Sequence, residues 1–468
     1  MTISSSSAHA PGTPTPAASA DGTLPEGERL LTITEAVAIA IECQKNEHFE
    51  SADALFRKVL EVVPDHPDAL HYSGVLAQQL GRSDEAVALI SRSLEMAPEQ
   101  ADWHSNLGVI LQSRGRLDEA IASYERAISL NPKHSNAYSN LGVLLRATGR
   151  LEQAESAYRT AIELNPDNPD CYHNLGVLLS ATGRTPEAVT YYCKALTLKP
   201  EYAEARRLLA LAYCVIDQRD KAVRVCEQWL EDEPGDPIAL HTLAACSNRD
   251  VPVRASNAYL EKTFDSFAAS FEVKLAKLKY RAPALVAERL SSSGLDAVRA
   301  LDVLDAGCGT GLCGPLIAPF ARRLVGVDLS TGMLEHAREK QVYDELVRAE
   351  LTQFLQQHPA AFDVIVSADT LVYFGPLEDV MGAAARALRD GGVLIFTVEE
   401  ETAHDADAFG IKPHGRYNHR CDYVERVLLS VGLSPDVARA ELRLESGVPV
   451  QGLVVRAWKR RRFGDRHA

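Results

Sequence analysis

Between residues 33 and 250 the apolar positions recur with helical spacing, and that spacing itself repeats. ADWHSNLGVILQSRGRLDEAIASYERAISLNPKH (101–134), SNAYSNLGVLLRATGRLEQAESAYRTAIELNPDN (135–168) and PDCYHNLGVLLSATGRTPEAVTYYCKALTLKPEY (169–202) align without a gap, a period of 34 residues. Each unit predicts two helices. Gly108, Gly142 and Gly176 in the first helix, and Ala120, Ala154 and Ala188 in the second, mark points where two backbones approach too closely for a large side chain. Tyr124, Tyr158 and Tyr192 are large enough to fill the gap to the next unit. Gly115, Gly149 and Gly183 fall in the inter-helix turn, where a positive φ is needed. Pro132, Pro166 and Pro200 stop the second helix. Weaker copies lie outside this core: 33–66 keeps Ala52, Phe56 and Pro64, 67–100 keeps Gly74, Gly81, Ala86 and Pro98, and 203–236 keeps Tyr213, Ala222 and Pro234. An incomplete helix follows from Pro237. Divergence at both ends suits units whose outer faces meet water instead of a neighbour.

The pattern is lost over 247–262 and changes after it. FDSFAASFEVKLAKLKYRAPALVAERL (264–290) predicts one or two amphipathic helices broken near Pro283, with Phe264, Phe267, Phe271, Leu275 and Leu278 at helical spacing. Short apolar runs then alternate with helical stretches, the signature of a mostly parallel sheet. ELRLESGVPVQGLVVRAW (441–458) predicts two strands around a Gly-Val-Pro turn, which places the last strand antiparallel. Within LDVLDAGCGTGLCGPLIAPFARRLVGVDLS (301–330), a strand ends in Asp305 and runs into Gly307, Gly309 and Gly311. The glycines allow a tight turn and close approach to a ligand. A second strand, Leu324–Val327, ends in Asp328, whose carboxylate can accept both hydroxyls of a ribose. Gly309-x-Gly311-x-x-Gly314 also satisfies a dinucleotide fingerprint, a weak signal alone. Asp305 argues against that reading: a carboxylate repels a pyrophosphate but suits an amino-acid cation and a sulfonium.

The 34-residue period is that of the tetratricopeptide repeat. Arrays of this kind resemble scaffolds that bind a protein or peptide along a groove. Asn106, Asn140 and Asn174 recur one unit apart and either form an amide ladder along that groove, similar to that of O-GlcNAc transferase, or tie one helix to the next. DAGCGTG (305–311) resembles the first motif of the Rossmann-like, class I S-adenosylmethionine-dependent methyltransferases, and the resemblance covers about 264–458. The whole chain is similar to a bacterial group that joins tetratricopeptide repeats to such a domain. The implied fold is an α-solenoid of repeats over 33–250 followed by an α/β Rossmann-like domain over 264–458. The implied cofactor is S-adenosylmethionine. By this resemblance Asp305, Ala306, Gly307, Cys308, Gly309 and Gly311 border the methionine moiety, and Asp328 holds the ribose. Leu329 and Met333 pack on the adenine, and Glu350 and Leu351 meet its edge, although the family often has Asp where Glu350 stands. Asp369 faces the methyl group or the acceptor, and the FDxxAxxF segment at 264–271 forms a lid.

Methyl transfer from a sulfonium is an in-line displacement, so the protein mainly positions the nucleophile and excludes water. The candidates for a catalytic group are Asp369, His419 and Tyr417. HGRYNHRCDYV (414–424) follows the fifth strand, where acceptor loops lie, and Arg416 there is a candidate carboxylate clamp. Tyr280, Arg281 and Tyr373 complete the expected acceptor side. ADTLVYF (368–374) lacks the Asn/Asp-Pro-Pro-aromatic pattern of enzymes that methylate amide or base nitrogens, and looks like enzymes acting on small molecules or carboxylates. A small-molecule or carrier-bound acceptor is therefore expected. The rivals are a protein acceptor docked on the repeats, and a scaffold that binds cofactor without turnover.

Composition narrows the partners. The 468 residues carry a net charge of -15, with a pI near 5.5, which disfavours nucleic acid as partner. Residues 1–28 are rich in Ser, Pro, Ala and Thr and predict a disordered tail, and 459–468 predict a solvated basic one. There is no apolar run of about 18 residues, so no membrane span is expected. The nine cysteines are scattered without a CxxC pair and read as reduced thiols of a cytoplasmic protein. EETAHDAD (400–407) has no metal-ligand spacing, and no metal is expected.

Overall fold

The computed structural model describes residues 2–4, 28–295, 300–403, 407–445 and 447–460. Most of the 1–28 tail, His404 and the end of the basic tail lie outside the described residues. Within that tail Thr2–Ser4 pairs antiparallel with Glu28–Leu30. The chain divides into two compact units, 1–178 with 197–199, and 179–196 with 200–468. The division falls within the helical array. Thirteen helices, from Ile33–Lys45 to Pro237–Ser247, occupy the repeat region, and no helix among the described residues is long and apolar enough to cross a membrane.

In the first unit the 34-residue pattern becomes helix pairs, such as Ala101–Ser113 with Leu117–Leu130 and Ser135–Ala147 with Leu151–Leu164. The turn glycines Gly115 and Gly149 have φ of +73° and +80°, as the spacing requires. A glycine inside a helix costs about 1 kcal/mol against alanine, so Gly108 and Gly142 need a packing reason. A Cβ built on either would lie 2.7 Å from a ring carbon of Tyr124 or Tyr158. Both tyrosines are fully buried, each seated on the glycine of its own unit. Asn106, Asn140 and Asn174 are half-buried on successive first helices. The Asn106 amide nitrogen is 3.2 Å from Nε2 of His71 on the preceding unit, so at this position the side chain does tie neighbouring helices.

The second unit carries the α/β domain. Its strands are β1 (Leu301–Ala306), β2 (Ala321–Asp328), β3 (Glu345–Arg348), β4 (Phe362–Ser367), β5 (Leu388–Glu400), β6 (Phe409–Ile411), β7 (Tyr417–His419), β8 (Leu433–Glu445) and β9 (Val448–Lys459). The order across the sheet is β8-β9-β5-β4-β1-β2-β3, with β7 beside β5 and β6 beside β7. The pairings from β5 to β3 are parallel, while β9 runs antiparallel to both β5 and β8. This is the expected terminal hairpin. Successive side chains alternate between two apolar layers. Val303, Leu324, Val364 and Val393 pack on one face with Val286 and Leu290, and Leu304, Val325, Ile365 and Leu394 on the other with Leu355, Met381 and Val424. Helices therefore cover both faces, which is why the strands read as continuous apolar runs.

One expectation needs correction. The helices expected over 264–290 break at Ser266–Ser270 and again at Leu278–Arg281, and Pro283 lies in the first turn of Ala282–Ser291 instead of at a break. Proline is favoured there because the first turn needs no N–H donor.

The seating of Tyr158 predicts that Gly142→Leu destabilises the first unit by about 1–3 kcal/mol through overpacking. The check is a urea or thermal unfolding midpoint, and an unchanged midpoint would contradict the packing described.

Candidate active site

The tips of β1 and β2 meet at a backbone crossing. Gly307 N and Cys308 N donate to Val327 O at 2.8 and 2.9 Å. Asp328 then holds the loop from the other side: Gly309 N donates to Oδ2 and Ser330 N to Oδ1, each at 2.9 Å. A carboxylate has about four lone-pair sites, so acceptor capacity remains for a ligand beyond these amides. Gly307 has φ +77°, and a Cβ there would fall 2.1 Å from Thr370 Oγ1. A Cβ on Gly309 would meet only Phe271, at 3.9 Å. The loop is thus tight on its inner side and open toward a cavity.

That cavity has a volume of about 260 Å³. Its near end is lined by Gly307, Cys308, Gly309, Asp328, Leu329 and Met333, with Glu350 and Leu351 beside them. Its roof is the half-buried row Phe264, Phe267, Phe271, Leu275 and Leu278, which supports the lid expectation over a purely core role. Asp265 ties the lid down, accepting from the Ser330 hydroxyl and from Gly332 N. The far end carries Asp369, Tyr280, Tyr373, Arg416, Arg443 and Glu445. Asp305, Ala306 and Gly311 do not line the cavity; they lie beneath the loop. Asp305 is fully buried and accepts from the Tyr343 hydroxyl at 2.6 Å. Burial pushes its carboxyl up to about 7, with Tyr343 pulling the other way. Tyr343 sits among glycines: a Cβ on Gly311, Gly314 or Gly326 would come within 3.0 Å of its ring. The third glycine of the apparent GxGxxG therefore makes room for a tyrosine.

Glu350 both lines the cavity and caps a helix, accepting from Thr352 N and Gln353 N at 3.0 and 2.8 Å. Two of the three candidate catalytic groups are structural. His419 is fully buried and its Nε2 donates to Gly375 O at 2.8 Å; burial lowers its pKa to about 4. Tyr417 is equally buried and its hydroxyl donates to Pro252 O. Neither lines the cavity. Arg281 is exposed and off the cavity as well. Polar residues in a loop read as available; β7 pairs in the sheet and takes Tyr417 and His419 inward.

Asp369 does reach the cavity, in a strained backbone conformation with φ +55°. Its N–H donates to Thr397 Oγ1, that hydroxyl donates back to Oδ1, and Arg443 donates to Oδ2 at 2.7 Å. Burial raises its pKa against the pull of Arg443. Arg443 also donates to Glu445 at 2.8 Å and to Glu399. Arg416 donates to Glu399 at 2.6 Å and to Glu445. Sequence reading missed Arg443, Glu399 and Glu445. The available signal was a charge at Arg443 between two strand leucines, where a buried partner is required.

Comparison with known proteins finds matches for both parts of the chain. Residues 304–396 match the methyltransferase domain family, and 65–133, 99–167, 134–201 and 179–246 match tetratricopeptide repeats. The chain joins tetratricopeptide repeats to a methyltransferase domain. It is 36% identical over 103 residues to a malonyl-[acyl-carrier protein] O-methyltransferase of Enterobacter lignolyticus, covering 22% of this chain and 41% of that protein. A ubiquinone biosynthesis O-methyltransferase of Thiobacillus denitrificans is 34% identical over 107 residues, covering 22% and 45%. A probable S-adenosylmethionine-dependent methyltransferase of Mycolicibacterium smegmatis is 32% identical over 96 residues, covering 20% and 37%. The chain thus spans about two fifths of the length of these curated relatives. Among solved structures, the Pseudomonas aeruginosa pilF chain is similar at a TM-score of 0.41 and 22% identity, covering 45% of this chain and 96% of that one.

The cofactor that goes with this domain is S-adenosylmethionine, and the near end of the cavity fits it. Asp328 keeps acceptor capacity, and the Gly309 backbone is bare toward the cavity. The Thr310 hydroxyl lines the cavity, buried, without a hydrogen-bond partner among the described residues.

Asp328→Ala is expected to weaken S-adenosylmethionine binding about tenfold or more, as loss of charged hydrogen bonds requires. Asp328→Asn, which keeps one oxygen acceptor, should fall between. Calorimetric titration checks both, and equal affinity in all three proteins would remove the ribose from Asp328. Asp305 gives a pH prediction. Its pKa is raised above the unfolded value of 3.8. The folded state therefore binds the proton more tightly, and this group's contribution to stability is lost as pH rises from about 4 through about 7. Asp305→Asn should gain in melting temperature relative to wild type as pH rises from about 5 to about 8. A constant difference across that range would contradict a protonated Asp305.

Proposed function

We propose that this protein transfers the methyl group of S-adenosylmethionine to an oxygen of a small-molecule or carrier-bound acceptor. The carrying observation is one cavity lined at one end by the glycine loop and Asp328, and at the other by Asp369, Tyr280, Tyr373 and the Arg416–Arg443 pair. When bound, the cofactor supplies an activated methyl on a sulfonium with its own leaving group. The chain supplies position and dryness. Asp328 and the loop amides fix one reactant at the tips of β1 and β2. The phenylalanines of the lid exclude water. The hydroxyls of Tyr280 and Tyr373 keep their protons, because burial raises both pKa values. They can orient an acceptor oxygen. Positioning of this kind contributes up to about 7–11 kcal/mol.

Among the described residues, the carboxylates lining the far end are engaged by arginines: Asp369 by Arg443, and Glu445 by Arg443 and Arg416. An acceptor that needs no deprotonation suits such a site, and a carboxylate is already ionised at neutral pH. The names of the two O-methyltransferase relatives support an oxygen acceptor. The repeats are proposed to recruit the protein that carries or presents the acceptor, in the cytoplasm.

The test uses methyl-labelled S-adenosylmethionine, the full-length protein and extract of the source cells, with Asp328→Ala as control. Label should enter the small-molecule or carrier fraction with wild type and fall at least about tenfold with the variant. Alkali should release it as volatile methanol, as methyl esters do. Alkali-stable label would overturn the carboxylate, and no transfer at all would overturn the activity.

A further inference from the structure

The last repeat helix, Pro237–Ser247, belongs to the same compact unit as the cavity. Its His241 is 5% exposed, and its Nε2 lies 2.8 Å from Gly415 O. A carbonyl only accepts, so Nε2 carries the proton. The imidazole stacks on Tyr259, with ring centroids 3.9 Å apart. Gly415 has φ +88°, and a Cβ on it would lie 3.0 Å from Tyr259 Oη and 3.1 Å from His241 Cδ2. The turn is therefore pressed flat against both rings, and glycine is the residue that fits. Gly415 N donates to Lys412 O and Lys412 N to Arg416 O, which closes the turn between β6 and β7. The next side chain is Arg416, at the far end of the cavity.

The segment joining helix and domain is attached in the same way. Arg254 forms a β-bridge with Phe374. Ala255 N donates to Tyr373 O at 2.8 Å, and Gly375 N to Val253 O at 2.9 Å. Asp236 caps the helix, accepting from Ile238 N and Ala239 N, and also binds Lys262 of the helix Asn257–Asp265 that leads into the lid. The backbone beside Tyr373 and the turn before Arg416 are thus both braced by residues N-terminal to the methyltransferase domain.

We infer that His241, on the terminal repeat helix, is a positioning residue for the acceptor end of the cavity, acting through Gly415 on Arg416. The last repeat helix then braces the methyl-transfer site from behind, through Gly415, as well as ending a docking array. The inference rests on the proposed methyl transfer for its consequence, but not for its geometry, and the two are tested separately.

Hydrogen–deuterium exchange is compared for full-length wild type, His241→Phe, which keeps the ring but loses the donor, and His241→Gln, which restores an N–H. His241→Phe should exchange about tenfold faster over 412–419 while 301–328 stays unchanged, and His241→Gln should recover most of the protection. Label transfer from S-adenosylmethionine is then measured against extract concentration. His241→Phe should raise the half-saturating extract amount about tenfold, with cofactor affinity within about twofold of wild type. Unchanged exchange over 412–419, or a loss extending to 301–328, overturns the inference, as does equal half-saturation in the two proteins. A wild-type protein that binds no cofactor or transfers no label overturns the methyl-transfer reading instead, and the exchange comparison still decides the role of His241.

Discussion

Five charged side chains, two of them almost wholly out of water, hold the far end of the cavity. Arg443 and Arg416 are matched by Asp369, Glu399 and Glu445, contributed by β5, β8, the second residue after β4 and the turn before β7. Arg443 and Glu399 are about 95% buried. Each ion so placed costs several kcal/mol of desolvation and is tolerated only if its hydrogen bonds are made. Removing Arg443 takes from the buried Asp369 its ion-pair partner, at about 3–5 kcal/mol. That pairing has a structural use. It keeps Asp369 in a left-handed backbone conformation that an aspartate adopts at a cost, and it fixes where the terminal hairpin stops relative to β5. A wall built from neutral side chains would pack as well but would leave the polar end of the cavity without a defined register.

Local chemistry was legible in the sequence, and long-range pairing was not. The repeats announce themselves because each unit solves the same packing problem with the same small and large residues, Gly142 under Tyr158 being one instance. The glycine loop was legible because a tight turn at a strand tip demands positive φ, which Gly307, Gly309 and Gly311 supply, with Asp328 at the tip of the next strand. The terminal hairpin could be read from its apolar runs and Gly447, although Val448 and Pro449, expected in the turn, belong to β9 and pair with Glu445 and Leu444. Arg443 and Glu399 are 44 positions apart, and His241 and Gly415 are 174 apart. Nothing in a single chain says which distant partner a buried charge finds. The misreading of His419 and Tyr417 has the same root. Polar side chains in a loop look available until a short strand such as β7 pairs in the sheet and turns them inward. Asp305 shows a subtler limit. The resemblance set it against the methionine moiety, but it lies off the cavity beneath the loop, where burial raises its pKa against the pull of the Tyr343 hydroxyl.

The loss of repeat pattern over 247–262 has a physical explanation in the structure. A repeat unit must present one face to its neighbour and keep the helix-turn-helix spacing to do so. Residues 251–259 answer to different partners: Pro252 O to the Tyr417 hydroxyl, Val253 O to Gly375 N, Ala255 N to Tyr373 O. Those contacts need extended backbone with free carbonyls and amides, which a helix would consume internally. Here the sequence gives up periodicity because the segment becomes an added edge to the catalytic domain. The same reasoning explains why His241 is buried and stacked where a capping repeat would ordinarily turn a polar face to water. The array does not end at a solvent boundary; its final helix is closed by the turn that carries Arg416.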